Sequence, residues 1–169
     1  MSTENLSNQD ALKKLKELTE SARTCMFCTT LDQLPIASRP MSLQECDAEG
    51  NLWFISSSSS NKNFEIGEDN RVQLFFMNNS NAEYLSILGE AFIYKDKATI
   101  EDKWSEFASA WFEEGKDDPL VSIIRVAPVD VYYWDTKAGK LVSMLTFAKA
   151  VITGKKTNNS DGVEGKLHI

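Results

Sequence analysis

The chain has 169 residues, which is enough for one domain with a substantial core and too few for two. Its 18 basic and 25 acidic residues give a formal net charge of -7, and the basic residues form no stripe, so we expect no binding to nucleic acid. Because no long apolar run and no N-terminal leader pattern occur, we expect a cytoplasmic protein that does not associate with membranes.

Strands dominate the predicted elements. The chain begins with an amphipathic helix over residues 8–22, where apolar residues recur at the i, i+3, i+4 spacing. Apolar alternation predicts strands at 24–31, 36–43, 51–57, 71–77, 83–95, 121–127, 129–135 and 140–152. Gly89 is expected to mark a bulge or a close approach of two strands.

Two further helices and a tail complete the predicted elements. A short helix begins near residue 61. Thr99 is expected to cap a longer helix that has an aromatic and apolar face, formed by Trp104, Phe107, Ala108 and Trp111. The polar residues from Gly154 onward are expected to be mobile.

The order of these elements indicates a fold class. Many short strands, with few helices that do not alternate regularly with them, predict a mainly β (α+β) fold. We expect an antiparallel β-barrel with a few peripheral helices rather than a doubly wound sheet. The domain should span residues 1–155, followed by a polar C-terminal tail at 156–169. The glycine-rich motifs that bind dinucleotides and nucleoside triphosphates are absent from the sequence.

The three cysteines and the single histidine indicate neither a metal site nor a redox pair. Cys25 and Cys28 have the C-x-x-C spacing, but strand alternation sends them to opposite faces, whereas a thioredoxin-type pair lies at a helix N-terminus. Together with Cys46 they are expected to be free thiols. A zinc site would need further ligands nearby, and His168 lies in the predicted tail.

Five consecutive serines, residues 56–60, lie between a predicted strand and a predicted helix. The serines and Asn61 are suitable N-caps for that helix. Free amides at the helix start, serine hydroxyls and the ammonium of Lys62 would converge on one point, and this combination binds phosphate. Composition alone leaves a flexible serine-rich linker as the alternative.

Arg39 strengthens the prediction of an anion site. Alternation places it on the more apolar face of its strand, together with Ala37, Met41 and Leu43. A guanidinium there needs an anion, and the strand itself contains no acidic residue. We favour a ligand phosphate shared with the serine-rich segment. An internal ion pair, or an arginine at the sheet rim with its head in water, is the alternative.

Four motifs follow one another along the chain. They are Ser-Arg-Pro-Met at 38–41, Trp-Phe-Ile-Ser at 53–56 with Ser-Asn-Lys at 60–62, Trp-Phe-Glu-Glu-Gly-Lys-Asp-Asp-Pro at 111–119, and Val-Tyr-Tyr-Trp-Asp at 131–135. In this order they resemble the pyridoxamine 5'-phosphate oxidase-like FMN-binding split barrels, and among these the bacterial general stress proteins. The resemblance covers about residues 8–155. It implies a split β-barrel and a homodimer with FMN at the interface.

The resemblance also implies which residues bind the cofactor. They are Arg39, Met41, Ser42, Ile55, Ser56, Ser60, Lys62 and Trp134. Arg39, Met41 and Ser42 belong to the strand beside the FMN. Ile55 and Ser56 contact the ring system and its hydrogen-bonding edge. Ser60 and Lys62 hold the phosphate with Arg39, and the tryptophan comes from the partner subunit. No side chain is assigned as catalytic, and no metal is expected.

The sequence differs from that of the oxidase proper at residues with which that enzyme binds its cofactor and its substrate. Asn61 replaces an arginine of the phosphate cradle, Gln44 replaces a lysine for the substrate phosphate, and Tyr84 replaces a flavin-contacting glutamine. The arginine and histidine that follow the tryptophan in the oxidase are absent after Trp134. Without these cationic groups we expect no oxidation of pyridoxine phosphate.

The sequence therefore predicts an FMN-binding flavoprotein that acts as an oxidoreductase on an unidentified small molecule in a stress response. The alternative is an FMN-binding module that stores, carries or senses the cofactor without turnover. The sequence does not separate these two functions.

Overall fold

The computed structural model describes residues 2–136 and 162–169 of the chain. Its α-helices are α1 Asn8–Ala22, α2 Asn61–Glu68 and α3 Lys97–Lys103. Its strands are β1 Ser2–Thr3, β2 Leu6–Ser7, β3 Thr24–Thr29, β4 Ala37–Ser42, β5 Glu45–Cys46, β6 Leu52–Ser57, β7 Arg71–Asn78, β8 Glu83–Tyr94, β9 Val121–Thr136 and β10 Gly162–His168. Two 3₁₀-helices, Glu106–Ala110 and Gly115–Asp117, precede β9. No helix among the described residues is long and apolar enough to span a membrane.

The described strands form one sheet. Its main path runs β1-β10-β9-β8-β7-β3-β4, while β2 pairs with β10, β6 with β9, and β5 with β6. The ladders are antiparallel except where β1 and β2 lie parallel to β10. The mainly β fold is thus confirmed, but the sheet is mixed rather than purely antiparallel, because both chain ends run side by side at one edge. It is also not closed, since no ladder joins β4 to β6 within the described residues.

Two apolar clusters lie on either side of β6. The main core is built by α1 and the sheet, and in it the rings of Phe27 and Phe54 meet edge to face with their centroids 5.5 Å apart. The second cluster lies under α3 and consists of Ile100, Ala108, Phe112, Val121 and Ile123. Ile55 packs against this second cluster. The strand before the serine run is therefore held from both faces.

Two local predictions are confirmed. The amphipathic helix has the predicted bounds, and Leu15 and Leu18 are buried on its inner face. The register between β8 and β9 shifts at Leu88 and Gly89, as a bulge requires. A Cβ on Gly89 would lie 2.8 Å from the carbonyl oxygen of Ala127, so this position also has the close backbone approach that glycine permits.

The predicted helix after Thr99 is wrong in its cap, its length and its face. The N-cap is Asp96, whose side chain accepts from the amide of Thr99 at 2.9 Å. The α-helix ends at Lys103, and Trp104, which follows it, has an extended backbone. The chain then forms a 3₁₀-helix that buries Ala108 and leaves Phe107 87% exposed and Trp111 78% exposed. Breaking the helix lets Trp104, Ala108 and Phe112 all reach the second cluster.

The two strands predicted at 121–127 and 129–135 are one continuous strand, β9. Leu88 pairs with Asp130 and Gly89 with Pro128, so Val129 is the extra residue of the bulge and is exposed. Pro128 lies between the two predicted strands, and a bulge accommodates such a residue, which has no N–H. The strand predicted at 140–152 lies wholly outside the described residues.

The prediction of a mobile tail is wrong for residues 162–168, which form β10. Val163, Gly165 and Leu167 are buried, whereas Lys166 and His168 between and after them are exposed. This is the alternation of a half-buried strand, and the polar composition of the tail concealed it. A Cβ on Gly165 would clash with the carbonyl oxygen of Glu4, so glycine is needed where β10 meets the N-terminal segment.

Candidate functional site

The serine run forms an ordered turn between β6 and α2, which we call the serine turn (residues 57–60). The amide of Ser58 donates to the carbonyl of Leu120 at 2.7 Å, and the amide of Ser60 donates to the carbonyl of Ser57 at 3.0 Å. These bonds fix the turn against the start of β9. The flexible linker that composition left open is therefore not what this segment forms.

A buried polar network holds the first turn of α2 in place. Asn63, 6% exposed, accepts from the hydroxyl of Ser56 at 2.8 Å and donates to the hydroxyl of Ser122 at 2.8 Å. Ser122 in turn donates to the carbonyl of Ser56 at 3.0 Å. Since buried polar groups are costly unless paired, this closed network fixes α2 against β6 and β9.

Ser60 lies at the N-cap position of α2 but does not cap the helix with its side chain. Ser60 occupies the N-cap position with an extended backbone, but its hydroxyl makes no bond to a helix amide. That hydroxyl instead lies 3.2 Å from Lys62 Nζ and 3.2 Å from Asn63 Oδ1. In the part of the chain that the structure describes, no acceptor bonds the amides of Asn61 and Lys62. The helix start therefore offers two N–H groups and one ammonium.

Arg39 has an internal partner, as the ion-pair alternative predicts, and its contact with a ligand phosphate stays a prediction. Its Nη2 lies 2.8 Å from Glu65 Oε2, and its Nη1 donates to Thr29 Oγ1 at 2.6 Å. Thr29 donates to the same carboxylate oxygen at 2.5 Å. The carboxylate comes from α2 and not from the strand of the arginine. This ion pair crosses from β4 to the helix that follows β6.

Lys62 lies beside this ion pair and is half-buried. Burial lowers its pKa below the usual value, the nearby Arg39 guanidinium lowers it further, and Glu65 offsets part of the decrease. Two cations thus share one carboxylate in a partly desolvated place. A second anion would favour the charged form of Lys62, and this makes the start of α2 the candidate anion site.

The remaining predicted residues of β4 and β6 flank this site. Met41 lies two positions after Arg39 on the same face and packs against the main core, while Ser42 is exposed. On β6, Ile55 packs under α3 and Ser56 is buried with its hydroxyl in the Asn63 network. Their contacts with a flavin ring stay predictions.

Trp134 lies elsewhere, in an open apolar depression that we call the Trp134 groove. The groove has a volume of about 350 Å³ and is lined by Met26, Phe75, Phe76, Met77, Tyr84, Leu85, Ser86 and Trp134. Trp134 pairs with Tyr84 across the ladder. Phe75 is 41% exposed and Met77 53% exposed, which is high for neighbouring large apolar side chains. Ser57 of the serine turn pairs with Val121, the first residue of β9. Trp134 lies near the opposite end of the same strand.

The cysteines are ordinary core residues, as predicted. All three are free and buried. Burial, with a smaller effect of Cys28, raises the pKa of Cys25 to about 12, so the thiolate needed for redox chemistry is strongly disfavoured. No group of three or more potential metal ligands lies together in the described ranges.

Sequence reasoning missed four polar residues of the site. They are Thr29, Glu65, Asn63 and Ser122. Thr29 is a diagonal cross-strand neighbour of Arg39, so that contact had a local signal, whereas Glu65 lies 26 residues after Arg39 and their pairing had none. The contact between Asn63 and Ser122 had none, because it joins residues that are distant in sequence.

Comparisons with known proteins identify the family. The family model described as pyridoxamine 5'-phosphate oxidase like matches residues 10–158. The protein bli-3 of Neurospora crassa is 27% identical over 129 residues, which are 71% of this chain and 62% of that protein. The chain thus spans less than two thirds of the length of this relative.

Solved structures share the fold. A general stress protein 26 from Jannaschia sp. CCS1 has a TM-score of 0.77 at 22% identity, over 95% of this chain and 98% of that one. A general stress FMN/FAD binding protein from Xanthomonas citri has a TM-score of 0.65 at 26% identity, over 76% of this chain and 90% of that one. With the match over most of its length, the chain belongs to the pyridoxamine 5'-phosphate oxidase-like family.

Proposed function

We propose that this protein is a flavoprotein that binds FMN non-covalently, with the phosphate at the start of α2, and acts as an oxidoreductase on a small molecule. The observation that carries the proposal is Lys62, a half-buried ammonium beside a second cation and two amides that have no acceptor in the described part of the chain. The name of the Xanthomonas citri neighbour, a binder of FMN or FAD, supports a flavin.

The donor set fits a phosphate monoester. A phosphate presents three strong acceptor oxygens, and the site offers an ammonium, a serine hydroxyl and helix amides within one turn of chain. The Asn63 network orients these donors before any ligand arrives, because it fixes the first turn of α2. When bound, FMN would supply hydride or electron transfer through its ring system. The backbone of Met41 and Ser42 would lie along it.

A homodimer would complete this site. Trp134 is separated from the serine turn by nearly the whole of the 16-residue strand β9, about 40 Å at the usual rise per residue. A tryptophan that contacts the same flavin is therefore better supplied by a second copy. The exposed apolar side chains of the Trp134 groove support this, since a partner that covered them would remove them from water.

Flavin titrations test the binding step. Protein stripped of ligand is titrated with FMN and with riboflavin, and the quenching of flavin fluorescence is followed. We expect FMN to bind more tightly, because riboflavin lacks the phosphate that pairs with Lys62. Equal affinity for the two would contradict the phosphate site, and no binding of either would contradict the proposed function.

Turnover separates the enzyme from a storage or sensing module. The FMN-loaded protein is mixed with NADH or NADPH without oxygen, and bleaching of the flavin absorbance is recorded, followed by reoxidation with a panel of small acceptors. Reduction and acceptor-dependent reoxidation are expected. A flavin that binds tightly and is reduced by neither donor would favour storage or sensing. We expect no activity on pyridoxine phosphate, since Gln44 offers a neutral amide that already donates to the carbonyl of Ser42 at 3.2 Å.

A further inference from the structure

We propose that Glu65 determines how tightly this site holds a phosphate, because its carboxylate holds Arg39 and leaves Lys62 as the main cation for the ligand. The inference rests on the proposed function and deepens it. In this account Glu65 holds Arg39 inside the protein. The carboxylate of Glu65 therefore competes with the phosphate group for the guanidinium of Arg39.

An ion pair and a hydrogen bond hold the guanidinium of Arg39 at two of its nitrogens. One nitrogen of the guanidinium pairs with Glu65 at 2.8 Å and the other donates to Thr29 at 2.6 Å. Thr29 also donates to Glu65 at 2.5 Å, so the three side chains form a closed triangle. The side chains of Arg39 and Glu65 are only 24% and 22% exposed, and solvent screens such a pair less than a surface pair. A phosphate that recruits Arg39 must therefore compete with a carboxylate already in contact.

Lys62 shows that this carboxylate does not neutralise the whole site. Burial and the Arg39 charge both lower the pKa of Lys62, and Glu65 offsets only part of the decrease. The hydroxyl of Ser60, 3.2 Å away, is the hydrogen-bond partner of its ammonium within the described residues. Within the described residues Lys62 thus has no ion pair of its own, which favours a bound anion, while Arg39 is held by Glu65.

Neutralising Glu65 should therefore strengthen phosphate binding. Glu65→Gln keeps the volume of the side chain and an acceptor for Thr29, but removes the charge that competes for Arg39. We expect FMN to bind about three- to tenfold more tightly and riboflavin to bind unchanged, since a screened charge pair has an effect of this order. Glu68→Gln is the matched control, because it removes the same charge from an exposed position of the same helix. It should change FMN affinity by less than about twofold.

A second background shows whether Arg39 mediates the gain. In Arg39→Met protein, Glu65→Gln should give no increase in FMN affinity, because no guanidinium is left to release. If Glu65→Gln weakens FMN binding, Glu65 aligns Arg39 for the ligand, and the inference is overturned. It is also overturned if FMN and riboflavin affinities change equally, or if the gain persists without Arg39.

Inorganic phosphate provides a readout that does not depend on the flavin. The rise in melting temperature caused by added phosphate should be larger for Glu65→Gln than for the parent protein or Glu68→Gln. If phosphate shows this difference while FMN binds to none of the proteins, the proposed function fails and the role of Glu65 stands. An equal rise in all three proteins would refute the role of Glu65.

Discussion

The serine turn and the Trp134 groove differ in what they lack. At the serine turn and the start of α2 most polar groups are paired inside the protein, and the feature without a partner of its own is the positive charge of Lys62. None of the described residues that line the groove is charged, and the feature without a partner there is the apolar surface of Phe75, Met77 and Tyr84. A small anion can satisfy the first, and only a larger apolar surface can satisfy the second. One FMN held between two copies of the chain would satisfy both.

The largest effect is expected at the groove. If the proposed homodimer forms through the groove, Trp134→Ala should lower its stability by about 2–4 kcal/mol and weaken FMN binding with it, because large aromatic residues dominate the energetics of such interfaces. Sedimentation at several protein concentrations, with and without FMN, measures both. Trp111→Ala is a suitable control, since Trp111 is also exposed but lies outside the groove. A dimer that survives Trp134→Ala with full FMN affinity would separate the groove from the cofactor.

The next largest effect is expected from removing the positive charge of Lys62. Lys62→Ala should weaken FMN binding by about 1.5–3 kcal/mol and leave riboflavin binding nearly unchanged, as expected for a charge-assisted bond to the phosphate alone. Paired fluorescence titrations measure the two affinities. Lys16→Ala, on the exposed side of α1, is the control for the loss of one positive charge. Equal losses for the two flavins would place Lys62 away from the phosphate.

The buried network below the turn should affect stability rather than selectivity. Asn63→Ala removes one hydrogen-bond partner from each of the buried hydroxyls of Ser56 and Ser122, so the free energy of unfolding should fall by about 1–3 kcal/mol. Urea unfolding measures this change. Asn61→Ala, two residues earlier and exposed, should change it by less than about 0.5 kcal/mol. Matching values for the two variants would mean that the network does not hold α2.

The smallest effect concerns pH. Burial and Arg39 hold the pKa of Lys62 below 10.5, so its ammonium loses its proton earlier than a surface lysine as the pH rises. Since the phosphate prefers the charged form, FMN affinity should fall by about tenfold or less between about pH 7 and pH 10, relative to riboflavin. Lys62→Arg keeps its charge over this range and should flatten the curve. A curve of the same shape for Lys62→Arg would assign the titration to another group.

The sequence allowed prediction of the serine turn better than of its internal pairing. Local signals were sufficient for α1, for the strand before the turn and for the helix after it, since each depends on residues close in the chain. The partner of Arg39 could not be assigned, because Glu65 lies on α2, 26 residues further along the chain, and meets it only in the folded protein. The same limit concealed β10, whose alternation becomes meaningful only when β9 and the N-terminal strands lie on either side of it.

The position of β10 has a consequence for the order in which the protein is assembled. In the described part of the chain, β1 and β2 find their ladder partner only in β10, and the hydroxyl of Tyr133 donates to the carbonyl of Glu4 at 2.9 Å. Residues 2–7 thus have to wait for residues 162–168 before they can join the sheet. A nascent chain arrested before residue 162 should keep residues 2–7 accessible to proteases.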